Sequence, residues 1–189
     1  MSRLKFAHLA WFSQPKGDRW LWRHMRRYRV ASIVQLGVGD ARRARLLIEV
    51  AQRFAAHGQV HFTGIDLFEA GSFEAGPFEA SVSHAGLTLK EAHRRLTATG
   101  GKIHLVPGDP LTALRRVANA LSGTQLLLIS ASTDEAALER AWFYVPRMLH
   151  ADSLVLRERQ LRDERVEWQS VEHSQIESLA RSATPRRAA

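Results

Sequence analysis

Apolar positions along the chain fall into short unbroken runs that alternate with stretches of helical period. In "ASIVQLGVGD", Ile33, Val34 and Leu36 read as a buried strand. "ARRARLLIEVAQRFAAHG" then spaces Leu46, Leu47, Val50 and Phe54 as on a helix, with Gly58 as its stop. "QVHFTGID" predicts the second strand, and Thr88 with Glu91 forms a capping box for the helix "LTLKEAHRRLTATG". "KIHLV" is the third strand, "PGDP" a turn, and Leu111, Leu114, Val117 or Ala118, and Leu121 mark a short helix. "TQLLLIS" is continuously apolar, as a strand covered on both faces should be. Ser132 with Glu135 predicts a helix through Met148, kinked at Pro146, before a fifth strand, "DSLVLRE". "VEWQSV" supplies a sixth, and Ser174 with Glu177 caps a last helix.

Strands separated by helices of about 10–15 residues imply βαβ units, right-handed crossovers and a mostly parallel sheet. The predicted fold is therefore α/β: a Rossmann-like, doubly wound sheet of about six strands with helices on both faces. Ligands of such sheets sit beyond the carboxyl ends of the strands, at the switch point near the first strand. The chain reads as an N-terminal helical arm over 1–30, one α/β domain over 31–182 and a disordered tail over 183–189.

Between the second strand and the next helix the pattern breaks. Phe-Glu-Ala occurs three times, at Phe68–Ala70, Phe73–Ala75 and Phe78–Ala80, with Gly71, Gly76 and Gly86 around it. A five-residue spacing fits neither helix nor strand. Loops longer than about 12 residues tend to be functional lids or disordered. A lid over the pocket is favoured over a repeat expansion that packs a single Phe.

The chain has 189 residues, 45% apolar and 24% charged, enough for one domain with a real core. No apolar run reaches the about 20 residues of a membrane span, and no signal peptide is recognisable. Without cysteine there are no disulfides, thiolate nucleophiles or Cys-based zinc sites, which suits a cytoplasmic protein. The net charge of +8 sits at the ends: residues 1–30 hold eight Lys/Arg against the single Asp18, while 181–189 add Arg181, Arg186 and Arg187. The body between them is near neutral. In "RWLWRHMRRYR", Trp20, Trp22 and Tyr28 interleave with five arginines, a combination that could stack on and neutralise RNA. Leu21, Met25 and Tyr28, however, form a helical stripe, which favours a helix packed on the domain with a solvated basic face over a nucleic-acid partner.

Gly37, Val38 and Gly39 close the first strand just before a helix, where glycine permits positive φ and close approach of a ligand to the backbone. The plain alternative is a turn and nothing more. A dinucleotide fingerprint would want a small residue three positions after Gly39, where Arg42 stands. S-adenosylmethionine has no phosphate and tolerates that arginine. Asp66 ends the second strand, and Gly108-Asp109 follows the third. The plain alternative for Asp66 is capping of the next turn, and for Asp109 a Pro-Gly-Asp-Pro turn that needs no ligand.

VQLGVGD, the strand ending in Asp66, and Gly108-Asp109 together resemble the class I S-adenosylmethionine-dependent methyltransferases. "GIDLFE" before a loop and a capped helix is similar to small-molecule O-methyltransferases of that group. The resemblance spans Ala31 to Glu158. It implies S-adenosylmethionine as cofactor and a small-molecule acceptor. Gly37 and Gly39 would face the methionine part, and Asp66 would accept from both ribose hydroxyls. Asp109 would reach the adenine amino group, with Leu67 and Val106 packed on the ring.

Several positions depart from that pattern. Gln35 stands where the family has an acid for the methionine amino group, and Ala41 replaces the third glycine. Strand four ends in Ser130 and Ala131, where metal-dependent relatives place a metal-binding aspartate, so no metal site is expected. Asp134 belongs to the first turn of the next helix. One strand follows the fifth, where the family has a hairpin. A catalytic base is not identifiable; His84, Ser130 and Asp134 are the candidates, none with a partner. These departures leave open a catalytically degenerate binding protein of the same fold.

Overall fold

Six strands, β1 (Ser32–Leu36), β2 (His61–Asp66), β3 (Lys102–Pro107), β4 (Thr124–Ile129), β5 (Leu149–Gln160) and β6 (Val166–Ser170), form one sheet in the order β3-β2-β1-β4-β5-β6. The computed structural model describes residues 1–13, 16–55, 59–68, 87–160 and 166–183. β1 to β5 run parallel, and β6 pairs antiparallel with β5, Glu158 facing Trp168 across the ladder. The order reverses between β1 and β4, which opens a crevice at their carboxyl ends.

The period-two alternation of the strands sorts side chains to two cores. Ile33, Phe62, Leu126, Leu128 and Leu156 face α1 (Arg3–Phe12), α2 (Lys16–Tyr28), α3 (Arg42–Phe54) and α4 (Leu89–Thr97). Val34, Leu36, Ile65, Leu127, Ile129 and Val155 face α5 (Pro110–Val117), α6 (Glu135–Ala141) and α7 (His173–Ser182). With both faces covered, β4 has no polar residue between Gln125 and Ile129.

Several expectations need correction at the level of single residues. α2 buries Asp18, Leu21, Trp22 and Met25, an i, i+3, i+4, i+7 set, whereas Tyr28 is exposed. Tyr28 stacks on His24 and His24 on Trp20, along the outer side of the helix. The cap of α6 is Asp134, whose carboxylate accepts from Ala136 N at 3.2 Å, not Ser132. α6 ends at Ala141 and continues as a 3-10 segment, Trp142–Arg147, that contains Pro146. The tighter coil accommodates the ring where a continuous α-helix would meet a clash. Glu172, rather than Ser174, caps α7 through a capping box with Gln175. α1 lies within the predicted helical arm, which turns out to hold two helices, Arg3–Phe12 and Lys16–Tyr28. Of the three repeats, Phe68 is buried; the rest of the proposed lid, His84 included, and the tail beyond 183 lie outside the described residues.

Candidate functional site

On the α2–α3 face, the apolar rows of the sheet turn polar at their carboxyl ends. Gln35 lies in register with Leu128, and Leu128 with Leu156. Two residues further along β4 and β5 stand Ser130 and Glu158, and two beyond Gln35 stands Gly37. The loop that leaves β1 is held tightly. Gly37 N donates to Ile65 O at 2.9 Å, and Ser130 N to Leu36 O at 2.9 Å. Gly37 and Gly39 have φ of 78° and 57°, and Ala41, at φ 62°, takes the same left-handed region before α3. Val38 is buried, its side chain packed toward Gly64, where an added Cβ would lie 2.8 Å from Val38 Cγ2.

Asp66 fastens this loop. Its Oδ2 accepts from Val38 N at 2.6 Å and Gly39 N at 2.8 Å, and Oδ1 accepts from Leu67 N at 2.7 Å. A carboxylate offers about four acceptor positions, so one remains. Asp109 is the N-cap of α5, accepting from Thr112 N at 3.0 Å. The Thr112 backbone bond holds its pKa below the usual 3.8. Gly108 N donates to Asp66 O at 2.9 Å, tying the two turns together. Leu67 is exposed and Val106 buried. Asp66, Leu67, Gly108 and Asp109 thus share one cleft with Gly37, of about 50 Å³.

Behind the glycine loop lies a second group that sequence reasoning missed. Arg43 on α3 pairs with buried Glu158 at 2.8 Å, and its guanidinium sits over the Trp168 ring, 5.0 Å from the centroid. Glu158 Oε2 accepts from Ser130 Oγ at 3.0 Å and from Ala131 N at 3.1 Å. Trp168 Nε1 donates to Asp18 Oδ1 at 2.9 Å. Burial pushes the Asp18 pKa up, against the pull of Arg43 and the Trp168 bond. Two signals for this group stand in the sequence. Asp18 is the lone acid among eight basic residues, and Glu158 is an acid at an inward position of an apolar strand. Asp18, Gln35, Gly37, Val38, Gly39 and Ser130 line a cavity of about 410 Å³ on this side. Another of similar volume, lined by Ser32, His61 and Lys102, is at the strands' amino ends, away from the crevice where ligands of such sheets bind.

The fold recurs in solved structures. CalS11, a calicheamicin methyltransferase, superposes with a TM-score of 0.56 at 14% identity, over 82% of this chain and 75% of that one. The chain has the class I methyltransferase fold. Apo CalS11, described as a TDP-rhamnose 3'-O-methyltransferase, gives a TM-score of 0.55 at 14% identity, over 98% and 89% of the two chains. The O-methyltransferase TomG from Streptomyces achromogenes, solved with SAM, gives 0.51 at 12% identity, over 94% and 74%. No protein-family model matches the sequence, and no curated protein is similar to it. At these identities, the methyltransferase fold is what the likeness carries.

The chemistry of the site fits S-adenosylmethionine. Buried Gln35 directs Nε2 to Gly37 O at 2.8 Å, and its Oε1 has no partner among the described residues. Among the described residues nothing lies within 4 Å of where a Cβ on Gly39 would be, so they leave that face of the loop open. Asp66 keeps an acceptor for a hydroxyl.

Proposed function

We propose that the chain binds S-adenosylmethionine across the carboxyl ends of β1, β2 and β4 and methylates a small molecule. The observation that carries this reading is the glycine loop at the switch point, clamped by Asp66 while its Gly39 face and the Gln35 acceptor stay open. Asp66 would take a ribose hydroxyl on its remaining lone pair, Leu67 would offer an apolar surface to the base, and Gly37 to Gly39 would let the methionine part approach. Bound there, the cofactor would supply a methyl group on a sulfonium, open to attack by a nucleophile. The methyltransferase neighbours named for small molecules support a small acceptor.

Calorimetric titration of S-adenosylhomocysteine tests the reading. Micromolar binding is expected for the wild type, with at least a tenfold loss in Asp66→Ala, which removes both the acceptor and the clamp. A wild type that binds neither S-adenosylmethionine nor S-adenosylhomocysteine would retire it.

A second reading makes single-stranded nucleic acid the partner. It is favoured by the stack of exposed Trp20, half-buried His24 and exposed Tyr28 on α2, centroids 5.2 and 4.3 Å apart. Among the described residues Arg19, Arg23, Arg27 and Arg29 have no acidic partner. Base stacking contributes about 1–3 kcal/mol per base. On this reading Trp20→Ala weakens binding of a labelled oligonucleotide at least fivefold, and affinity falls steeply with salt. A flat salt response excludes it.

A further inference from the structure

The first two helices turn outward an apolar surface that the cofactor reading does not use. Of the seven large apolar side chains exposed among the described residues, five belong to them: Leu4, Trp11, Phe12, Trp20 and Tyr28. α1 is apolar on both sides. Phe6, Leu9 and Ala10 are buried, Phe6 packing edge-on against Phe54 of α3 at 4.5 Å. Leu4, Trp11 and Phe12 point away from that contact and are 84%, 61% and 68% exposed. A lone exposed apolar residue is ordinary, but several grouped on one short helix mark an interaction surface.

Charge narrows the choice of partner. Residues 1–30 carry eight Lys/Arg and a single acid, Asp18, which is buried. Lys5 is held by Glu49 at 2.6 Å, but among the described residues Arg3, Lys16, Arg19, Arg23 and Arg27 have no acidic partner. Arg23 of α2 lies over the Trp11 ring, 5.4 Å from its centroid, so cation and aromatic stand together where the two helices meet. A second copy of the chain would set this basic surface against itself. Nucleic acid would answer the charge, yet it gains nothing from an aliphatic Leu4 and finds one face of Trp11 taken by Arg23. A partner protein would need an apolar groove with an acidic rim. A bilayer surface takes up projecting apolar side chains without a groove.

We infer that α1, together with the arginines of α2, docks on an anionic lipid surface. Leu4, Trp11 and Phe12 enter the headgroup boundary, where aromatic rings are favoured, and the basic side chains around them meet the lipid phosphates. Apolar insertion by three side chains or attraction by a few charges is marginal alone, and the two together hold the chain reversibly. The chain lies on the bilayer rather than crossing it, since no helix among the described residues is long and apolar enough to span one. The inference is independent of the function proposed above.

Flotation of the full chain with vesicles tests it. Vesicles of equimolar phosphatidylcholine and phosphatidylglycerol should bind about tenfold or more tightly than phosphatidylcholine alone, and the difference should shrink as salt is raised. The combined variant Leu4→Ser, Trp11→Ser and Phe12→Ser keeps every arginine and changes only exposed positions, so it should melt with the wild type. Its affinity for the anionic vesicles should fall about tenfold or more. No binding of the wild type to anionic vesicles overturns the proposal, as does a variant that binds them as well as the wild type. Loss in the variant of a wild-type dimer seen by sedimentation, without loss of vesicle binding, assigns the surface to a second copy and also overturns it. Binding of a labelled oligonucleotide but not of vesicles would assign it to nucleic acid instead. Should the variant not fold, vesicles with brominated acyl chains give the answer on the wild type: quenching of tryptophan emission is expected, and unchanged emission overturns the proposal.

Discussion

Gly37 and Gly39 share the left-handed backbone region but meet different surroundings, and their substitutions should separate accordingly. A Cβ on Gly37 would lie 2.7 Å from Ser130 Cβ, a contact that neither backbone can yield to without moving β4 from β1. A Cβ on Gly39 meets nothing within 4 Å among the described residues. Gly39→Ala therefore carries only the left-handed conformational cost, about 1–2 kcal/mol. Gly37→Ala adds overpacking of about 1–3 kcal/mol. Urea unfolding should rank Gly37→Ala clearly below Gly39→Ala, and equal midpoints would contradict the packing described around the loop. Asp109 contributes in a pH-dependent way. Its bond to the Thr112 amide holds its pKa down, so the cap is at full strength above pH 3.8 and fades as the pH falls through the lowered value. Asp109→Ala should cost about 1 kcal/mol at neutral pH, and the gap to wild type should close in acid.

α2 is the element that closes one face of the sheet. Trp22, Leu21 and Met25 sit in the same core cluster as Ile33 and Leu126. Trp22→Ala should lose about 3–5 kcal/mol, the usual range for emptying so large a buried site. A loss below 1 kcal/mol in a thermal melt would mean that α2 is not integral to the core. The strand–helix alternation was legible because β1, β2 and β4 are buried on both faces and read as plain apolar runs. α1 was not, because Leu4, Phe6, Leu9, Trp11 and Phe12 surround the helix without a stripe: it buries Phe6, Leu9 and Ala10 and exposes the others. At the site, the loop glycines and the strand-end acids stood out as punctuation. The Asp18–Arg43–Glu158–Trp168 group did not, since its members come from α2, α3, β5 and β6 and meet only once the sheet order is known. Asp66 illustrates the limit of a one-residue reading, because its carboxylate serves the loop amides as well as any ligand.

Across the whole molecule, charge and connectivity pull in one direction. The basic ends surround a body close to neutral, and the exposed aromatic side of α2 carries much of the N-terminal excess. Removing residues 1–29 would strip that charge and also uncover the core face that Leu21, Trp22 and Met25 close, so the truncated chain should lose its cooperative melting transition. A sharp transition at the full-length temperature would show that the first helices are dispensable. The Trp168–Asp18 hydrogen bond joins residues 150 apart in sequence. Contacts of such separation form late, because a long loop must be closed before they bring any gain. During synthesis Asp18 of α2 therefore has to wait for Trp168 until β6 has emerged. In the finished protein, weakening that bond would speed amide exchange and proteolytic nicking at both distant segments together, although they share no stretch of chain.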